Sequence, residues 1–481
     1  MKDQLSELYR LSASEAVALL KKGTVSPLEL VEASAARIEA TDGKLNAMPT
    51  LCIDRARKHA ERIMAQGKEK RTDAAWLAGL PISVKDLVPV KGVRTTWGSP
   101  LFSDHIPLRS DIMVERLEEN GAIVMGKSNT PEFGAGANTF NEVFGKTRNP
   151  WNTAMTCGGS SGGAAVGLAT GQVWLATGSD LGGSLRIPAS YCSITGLRPT
   201  PGRVARGPAD LPFDTLMVDG PMGRDALDTA LFLDAMAGRH VEDPIARDAP
   251  DIPFAQTVRE KENYKPTRAA YSPDLGLFPI DSEVAQICSR AAQRFEAQGI
   301  KIEDGGPSFK GAIDTFQTLR AVLFSAMKAD LLSTKRDALK PEIIWNIEKG
   351  MALKSNEIGK AEIARGKLNH RMAKFFEHHD LLLCPTVIVP PFDVDIRYIE
   401  EVNGWKFENY VDWLGITFVI SLTGCPAIST PVGFTNSGLP IGLQIVGPPG
   451  EDALVLIAAA LMEEEIDLSG RVPLDPITPK S

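Results

Sequence analysis

Six cysteines in 481 residues (Cys52, Cys157, Cys192, Cys288, Cys384 and Cys425) include no CxxC pair. That leaves zinc ribbons and redox dithiols without ligands, and scattered thiols fit a reducing, cytoplasmic setting. Positive charge is also short. Lys and Arg number 52 against 60 Asp and Glu, a net −8, and no run supplies the basic face that nucleic-acid binding needs. The apolar stretches at 381–390 and 453–462 fall well below the ~20 residues that span a bilayer. Met1 to Glu7 carries acids and no apolar run, so no secretory leader is expected. Repeats and low-complexity linkers are lacking too. What remains is 43% hydrophobic and 23% charged, the make-up of a soluble globular chain long enough to bury a large core.

The N-terminal part reads as helices. Ser12-Ala13-Ser14-Glu15 and Ser26-Pro27-Leu28-Glu29 both have capping-box spacing, the second with proline at the first helical position. Leu30, Val31, Ser34, Ala35 and Ile38 then recur at helical intervals. From about Ala78 short apolar runs alternate with helical stretches. Leu80–Val84, Ala122–Met125 and Val173–Thr177 read as buried strands, and Ile112–Glu119 and Gly163–Thr170 as helices. Residues 282–376 look mostly helical and more charged. Leu381–Cys384, Ala427–Val432 and Leu443–Val446 return as strands before a closing helix at Asp452–Glu464. Strand material on both sides of a helical stretch predicts an α/β fold with one mixed central β-sheet covered by helices on both faces.

Two motif matches fail on context. Gly121-Ala122-Ile123-Val124-Met125-Gly126-Lys127-Ser128 spells a phosphate-binding P-loop, but its central residues form a strand, so their N–H groups serve the sheet. Pro131 follows almost at once, and Asp380 precedes the run 381–384 instead of following it. Gly158-Gly159-Ser160-Ser161-Gly162 fits a nucleophile elbow, which must follow a strand; the residues before it, Arg148–Thr153, form a proline-bearing loop. The downstream histidines, His240, His370, His378 and His379, sit in charged, solvated settings.

The residues that carry chemistry are two serines in glycine-rich loops, Gly158–Gly163 and Gly182-Gly183-Ser184-Leu185-Arg186, and Lys85 at the end of an apolar run. Glycine adds no Cβ bulk, so such loops expose a hydroxyl and bring backbone N–H groups close to a ligand. Two serines and a lysine point to a serine nucleophile with a base other than histidine, and so to amide or ester hydrolysis. A free lysine titrates near ~10.4 and is neutral about one time in a thousand at pH 7.4. Burial that lowered it by about 3 units would cost roughly 4 kcal/mol and make it available as a base.

The run from Gly158 to Thr200 strongly resembles the amidase signature family. So do Gly79–Asp86 with Thr95-Thr96, Gly126–Glu132, Arg148–Trp151, Asp219–Met222 and Gly438–Gln444. The similarity covers nearly the whole chain. It implies one domain over 1–481: helices to residue 70, a signature core over 71–235, the helical segment 282–376, and returning strands with a closing helix over 377–481. It further implies a Ser–Ser–Lys triad in which Ser184 is the nucleophile, Ser160 the bridging serine after a cis peptide bond, and Lys85 the base. Leu181, Gly182 and Gly183 match the oxyanion-hole backbone, and Ser161, Ser179, Asp180 and Arg186 are supporting residues, the last two bracing the loop. By analogy the run Phe133-Gly134-Ala135-Gly136-Ala137-Asn138 lines the acyl pocket, whose small residues leave room for a branched or aromatic acyl group, and residues from the helical stretch and from Trp405–Trp413 close it. Departures from the family pattern are Cys157 for the usual proline, Ser179 for threonine, Ser193 for glycine and Arg198 for lysine.

The implied activity is hydrolysis of a small to medium carboxamide (aliphatic, aryl or anilide) with no cofactor and no metal. The expected partner is a small-molecule amide, with neither nucleic acid nor membrane, and a homodimer stays open. Two alternatives stand: the amide-hydrolysing component (the A chain) of a glutamine-dependent tRNA amidotransferase, and a non-catalytic ligand-binding protein.

Overall fold

Both capping boxes form. Ser12 and Ser26 accept from the N–H groups of Glu15 and Glu29, whose carboxylates accept in return from the serine N–H groups. Each box satisfies two donors that a helix start otherwise leaves bare. The helices they start, Ala13–Lys22 and Pro27–Thr41, pack on the body. The N–H groups of Ala13 and Ser14 donate to the buried Asp228 carboxylate at 2.8 and 2.9 Å. The structure, a computed structural model, describes residues 7–65, 73–468 and 470–479.

Eleven strands share one sheet. In chain order they are β1 (Thr50–Leu51), β2 (Pro81–Lys85), β3 (Ile123–Ser128), β4 (Leu175–Asp180), β5 (Thr195–Arg198) and β6 (Val218–Gly223). Then come β7 (Arg268–Tyr271), β8 (Lys301–Asp304), β9 (Leu381–Pro385), β10 (Ala427–Phe434) and β11 (Pro440–Val446). Their spatial order is β1-β3-β2-β4-β6-β5-β10-β11-β9-β7-β8. β2 runs parallel to β3 and β4, and β7 parallel to β8 and β9; the other neighbours are antiparallel.

Successive side chains of a strand point to opposite faces, and both faces here are covered. On β9, Leu381 and Leu383 join one apolar cluster while Leu382 and Cys384 join another. On β3, Val124 faces one cluster and Ile123 and Met125 a third. The fold is α/β with a mixed central sheet, as the alternation of runs predicts. Among the described residues no helix is long and apolar enough to cross a membrane.

Observed boundaries move by one to three residues from the sequence reading, and Ile112–Glu119 is a helix over that same range. Three differences are larger. β5 to β8 went unread, and β8 interrupts the stretch 282–376, which otherwise holds helices Ser282–Arg294, Ala312–Lys335, Pro341–Ala352 and Ser355–Phe376. The elbow-like loop does follow a short strand, Asn152–Thr156, which pairs with Arg148–Asn149, bridges to Asp393 through Met155, and stays outside the main sheet. The P-loop letters Ile123–Ser128 lie wholly within β3. β2 and β4 pair in parallel, Ile82 with Leu175 and Ser83 with Ala176, so their carboxyl ends open onto the same edge, where α/β sheets hold their ligands.

Candidate active site

Lys85 is the last residue of β2 and fully buried. Its backbone N–H donates to Thr177 Oγ1 at 3.1 Å, which fixes the strand end against β4. Its Nζ lies 2.7 Å from Ser160 Oγ, 2.8 Å from Ser161 Oγ and 3.0 Å from Ser179 Oγ. Burial draws the ammonium from 10.5 down to about 7, against the pull of Asp219 and Asp180. Desolvation disfavours the charged form of an amine, and here it outweighs both carboxylates.

Ser160 and Ser161 precede the helix Gly162–Ala169, and the Gly159–Ser160 peptide is cis, as the family resemblance implies. Glycine lets this helix approach its neighbour. A Cβ on Gly163 would lie 2.3 Å from the backbone nitrogen of Asn129. Ser161 ties the two serine loops together. Its N–H donates to the Ser184 carbonyl at 3.2 Å, its Oγ accepts from the Ser179 N–H at 3.3 Å, and its hydroxyl reaches the Ser179 carbonyl at 3.4 Å.

The Ser184 loop hangs on Asp180. This carboxylate accepts from Arg186 Nη2 at 2.8 Å and Nε at 3.0 Å, from Arg198 Nη1 at 3.3 Å, and from the Leu185 N–H at 3.1 Å. Burial alone would raise its pKa, but the two guanidiniums outweigh burial and hold it well below the usual carboxylate range. Arg186 also donates to Gln444 Oε1 at 2.5 Å and Ser421 Oγ at 2.7 Å, which joins the loop to β11. Gly183 has φ +126°, and a Cβ there would lie 2.2 Å from Thr417 Oγ1. Thr417 Oγ1 donates to the Gly182 carbonyl at 2.7 Å.

One expected donor is already committed. The Gly183 N–H donates to Asp180 Oδ1 at 2.9 Å, so it does not face an incoming oxyanion in this arrangement. The N–H groups of Gly182 and Ser184 have no protein acceptor among the described residues.

Ser160, Ser179, Leu181, Gly182 and Ser184 border one cavity of about 80 Å³, small beside the roughly 300 Å³ at which drug-sized ligand pockets begin. Phe133 and Gly134 line it as expected, together with Gly136. Ala135 and Asn138 do not. Ala135 is buried against Phe324 and Ile343. Asn138 is occupied elsewhere, donating to the Arg397 carbonyl at 2.7 Å and accepting from Thr156 Oγ1 at 2.8 Å. Tight turning in 133–138, with Phe133, Gly134 and Gly136 all at positive φ, brings these three to the cavity and leaves Ala135 and Asn138 off it. A Cβ on Gly136 would meet nothing within 4 Å and one on Gly134 would lie 2.8 Å from Leu87 Cδ1. The expected space for an aromatic acyl group is reduced by the small volume of the cavity, which Phe316 and Phe324 of the helix Ala312–Lys335 also line. None of the histidines borders this cavity.

The family model described as Amidase matches residues 29–456. The chain belongs to the amidase family. It is 33% identical to an acylamidase of Rhodococcus erythropolis, over 97% of this chain and 98% of that one. It is also 33% identical to the A chain of the glutamyl-tRNA(Gln) amidotransferase of Moorella thermoacetica, over 97% and 99%. A solved bacterial aryl acylamidase of the amidase signature enzymes superimposes with TM-score 0.89 at 27% identity, covering 97% of this chain and 98% of its own. The protein is an amide hydrolase of the amidase signature family.

Within this amidase, the far wall of the cavity comes from the helical stretch and from 405–413, the two segments expected to close the pocket, but sequence reasoning named none of its residues. Phe316, Arg320, Phe324, Met327 and Lys328 line it from one helix, with Tyr410 and Val411 beside them. Spacings of four, four, three and one mark a single helical face, which was readable. Which face met the serines was not.

Proposed function

We propose that this amidase hydrolyses the C–N bond of a small carboxamide through an acyl-enzyme on Ser184, with Ser160 as proton bridge and Lys85 as base. The observation that carries the reading is the 2.7 Å contact between Ser160 and a buried lysine whose pKa lies at about 7. Such an amine is roughly 70% neutral at pH 7.4.

A neutral lysine has two N–H donors and one lone pair, yet Nζ has three hydroxyl neighbours. Ser161 already accepts from the Ser179 N–H and sends its own proton to the Ser179 carbonyl. Of the two hydroxyls left, Ser160 is the nearer, at 2.7 Å against 3.0 Å for Ser179, and is assigned as the donor to the lone pair. In the forward step Lys85 takes the Ser160 proton, Ser160 takes that of Ser184, and Ser184 Oγ bonds to the amide carbon. The oxyanion is met by the free N–H groups of Gly182 and Ser184, and one such donor is worth about 3 kcal/mol. Collapse breaks the C–N bond, and the proton returns through Ser160 to the departing nitrogen. Water then repeats the sequence on the ester, releasing carboxylate.

The reaction itself asks for no cofactor or metal, and the 80 Å³ cavity favours short acyl groups over long ones. Intracellular action on a small amide, without nucleic acid or membrane, completes the proposal, and the whole chain acts as one domain. The 33% identity to the amidotransferase chain supports a second reading, a glutaminase component that works in a complex. A screen of a dozen aliphatic, aryl and anilide amides with the purified single chain, read by released ammonia or amine, separates the two. Turnover of simple amides alone supports the hydrolase. Activity on glutamine only with added partner proteins supports the second reading. Failure of a fluorophosphonate to label Ser184 would leave a binding protein.

A further inference from the structure

The wall opposite the serines carries charge of one sign. Arg320 and Lys328 line the cavity from the helix Ala312–Lys335, and no acidic side chain lines it. This contrasts with a chain whose net charge is −8. Arg320 is 5% exposed. Its guanidinium donates to Asn346 Oδ1 and to the Tyr410 hydroxyl at 2.6 Å, and lies over the Phe324 ring at 4.6 Å. Those partners are neutral. Lys328 is half-buried, with its ammonium 4.7 Å from the centre of the Phe133 ring. Burial lowers its pKa, and Asp210 is the one charge pulling the other way. Among the described residues no carboxylate forms an ion pair with either cation.

A buried cation without a counter-ion loses hydration that neutral partners only partly replace. Arg320 is such a cation, and Lys328, half-buried on the same wall, has only the pull of Asp210. An anionic group on a ligand in this small cavity supplies the missing counter-charge most cheaply. A hydrocarbon tail would leave both unpaired. We infer that the cavity takes a short amide bearing a carboxylate, its acyl chain lying along Phe316, Phe324 and Met327 and its anionic end at Lys328 and Arg320. The substrate class is the monoamide of a short dicarboxylic acid or a close analogue. This rests on the proposed amide hydrolysis and names its substrate.

The test compares matched pairs across three chain lengths. Succinamate, glutaramate and adipamate are set against 4-methylpentanamide, 5-methylhexanamide and 6-methylheptanamide, in which an isopropyl group replaces the carboxylate. The readout is the ratio of kcat/KM within each pair, which cancels differences in active fraction between preparations. For at least one length the ratio favours the carboxylate by about tenfold or more, Lys328→Met lowers it by about tenfold, and Lys328→Arg keeps it within about threefold of wild type. A wild-type ratio at or below one for all three lengths overturns the inference, as does a ratio that Lys328→Met leaves unmoved. Hydrolysis of none of the six amides overturns it as well. Fluorophosphonate labelling then separates the two levels: a labelled Ser184 leaves the hydrolase reading standing, and an unlabelled one removes both.

Discussion

Lowering the pH below 7 should switch this amidase off by protonating Lys85. The drop from 10.5 to about 7 corresponds to roughly 5 kcal/mol of differential destabilisation of the ammonium. If the neutral amine starts the reaction, kcat/KM for an uncharged amide rises tenfold per pH unit below pH 7 and flattens above it. Activity at pH 5.5 is then about 3% of the plateau, whereas an ordinary lysine would keep the rate rising to beyond about pH 10. Asp111 complicates the reading, because burial and its neighbour Asp219 raise its carboxyl to about 7 as well. The assay is therefore run on wild type and Asp111→Asn, and the inflection stays in both. Linkage gives an independent check. Between about pH 7 and 10.5 the unfolded chain holds a proton on Lys85 that the folded chain lacks, so this group makes stability rise with pH across that window and leaves it flat below. Lys127 and Lys340, drawn down to about 8 by burial, add to the rise above pH 8. Lys85→Met therefore removes only the Lys85 share, seen in denaturant titrations as a shallower rise that starts near pH 8 instead of about 7. An activity that climbs steadily past pH 9, or an inflection lost in Asp111→Asn, refutes the assignment.

Three further outcomes follow from the loop geometry and the cavity. Gly183→Ala places a Cβ 2.2 Å from Thr417 Oγ1 at φ +126°, and should cost about 2–5 kcal/mol in chemical denaturation with loss of turnover. Asp180→Asn leaves Arg186 and Arg198 without their shared carboxylate and should cost about 3–5 kcal/mol, read the same way. Phe324→Ala enlarges the cavity from its far wall. It should cost roughly 3–5 kcal/mol in stability while moving the acyl-length optimum of kcat/KM toward longer amides.

The parts of the fold that can be read from sequence are those where local chemistry and burial agree. Ser12/Glu15 and Ser26/Glu29 form capping boxes because the bonds are local. β2, β3 and β9 are apolar runs buried on both faces, so composition alone marks them. β6 is different: Val218-Asp219-Gly220-Pro221-Met222-Gly223 holds poor strand formers and becomes a strand only because β4 and β5 pair on either side of it. β8, Lys301–Asp304, is a polar edge strand without an apolar signal. At the candidate site, glycine-rich loops and a strand-end lysine are uncommon together and single out Lys85, Ser160 and Ser184; the fold brings Lys85 within 2.7 Å of Ser160 and sets Ser160 and Ser184 on one cavity. The commitment of the Gly183 N–H to Asp180 was not, since it depends on how the loop turns. Ser193, where the family usually carries glycine, sits at φ +57° after the helix Arg186–Cys192, a left-handed turn that glycine adopts without strain and that went unread.

The most direct test follows the rate at which a fluorophosphonate modifies the protein at pH 8, with the adduct located by peptide mapping. A single adduct on Ser184, formed about a hundredfold or more slowly in Lys85→Ala, is the expected result. An adduct on Ser160 or Ser161, or a Ser184 rate that Lys85→Ala leaves unchanged, contradicts a lysine acting through one serine on another.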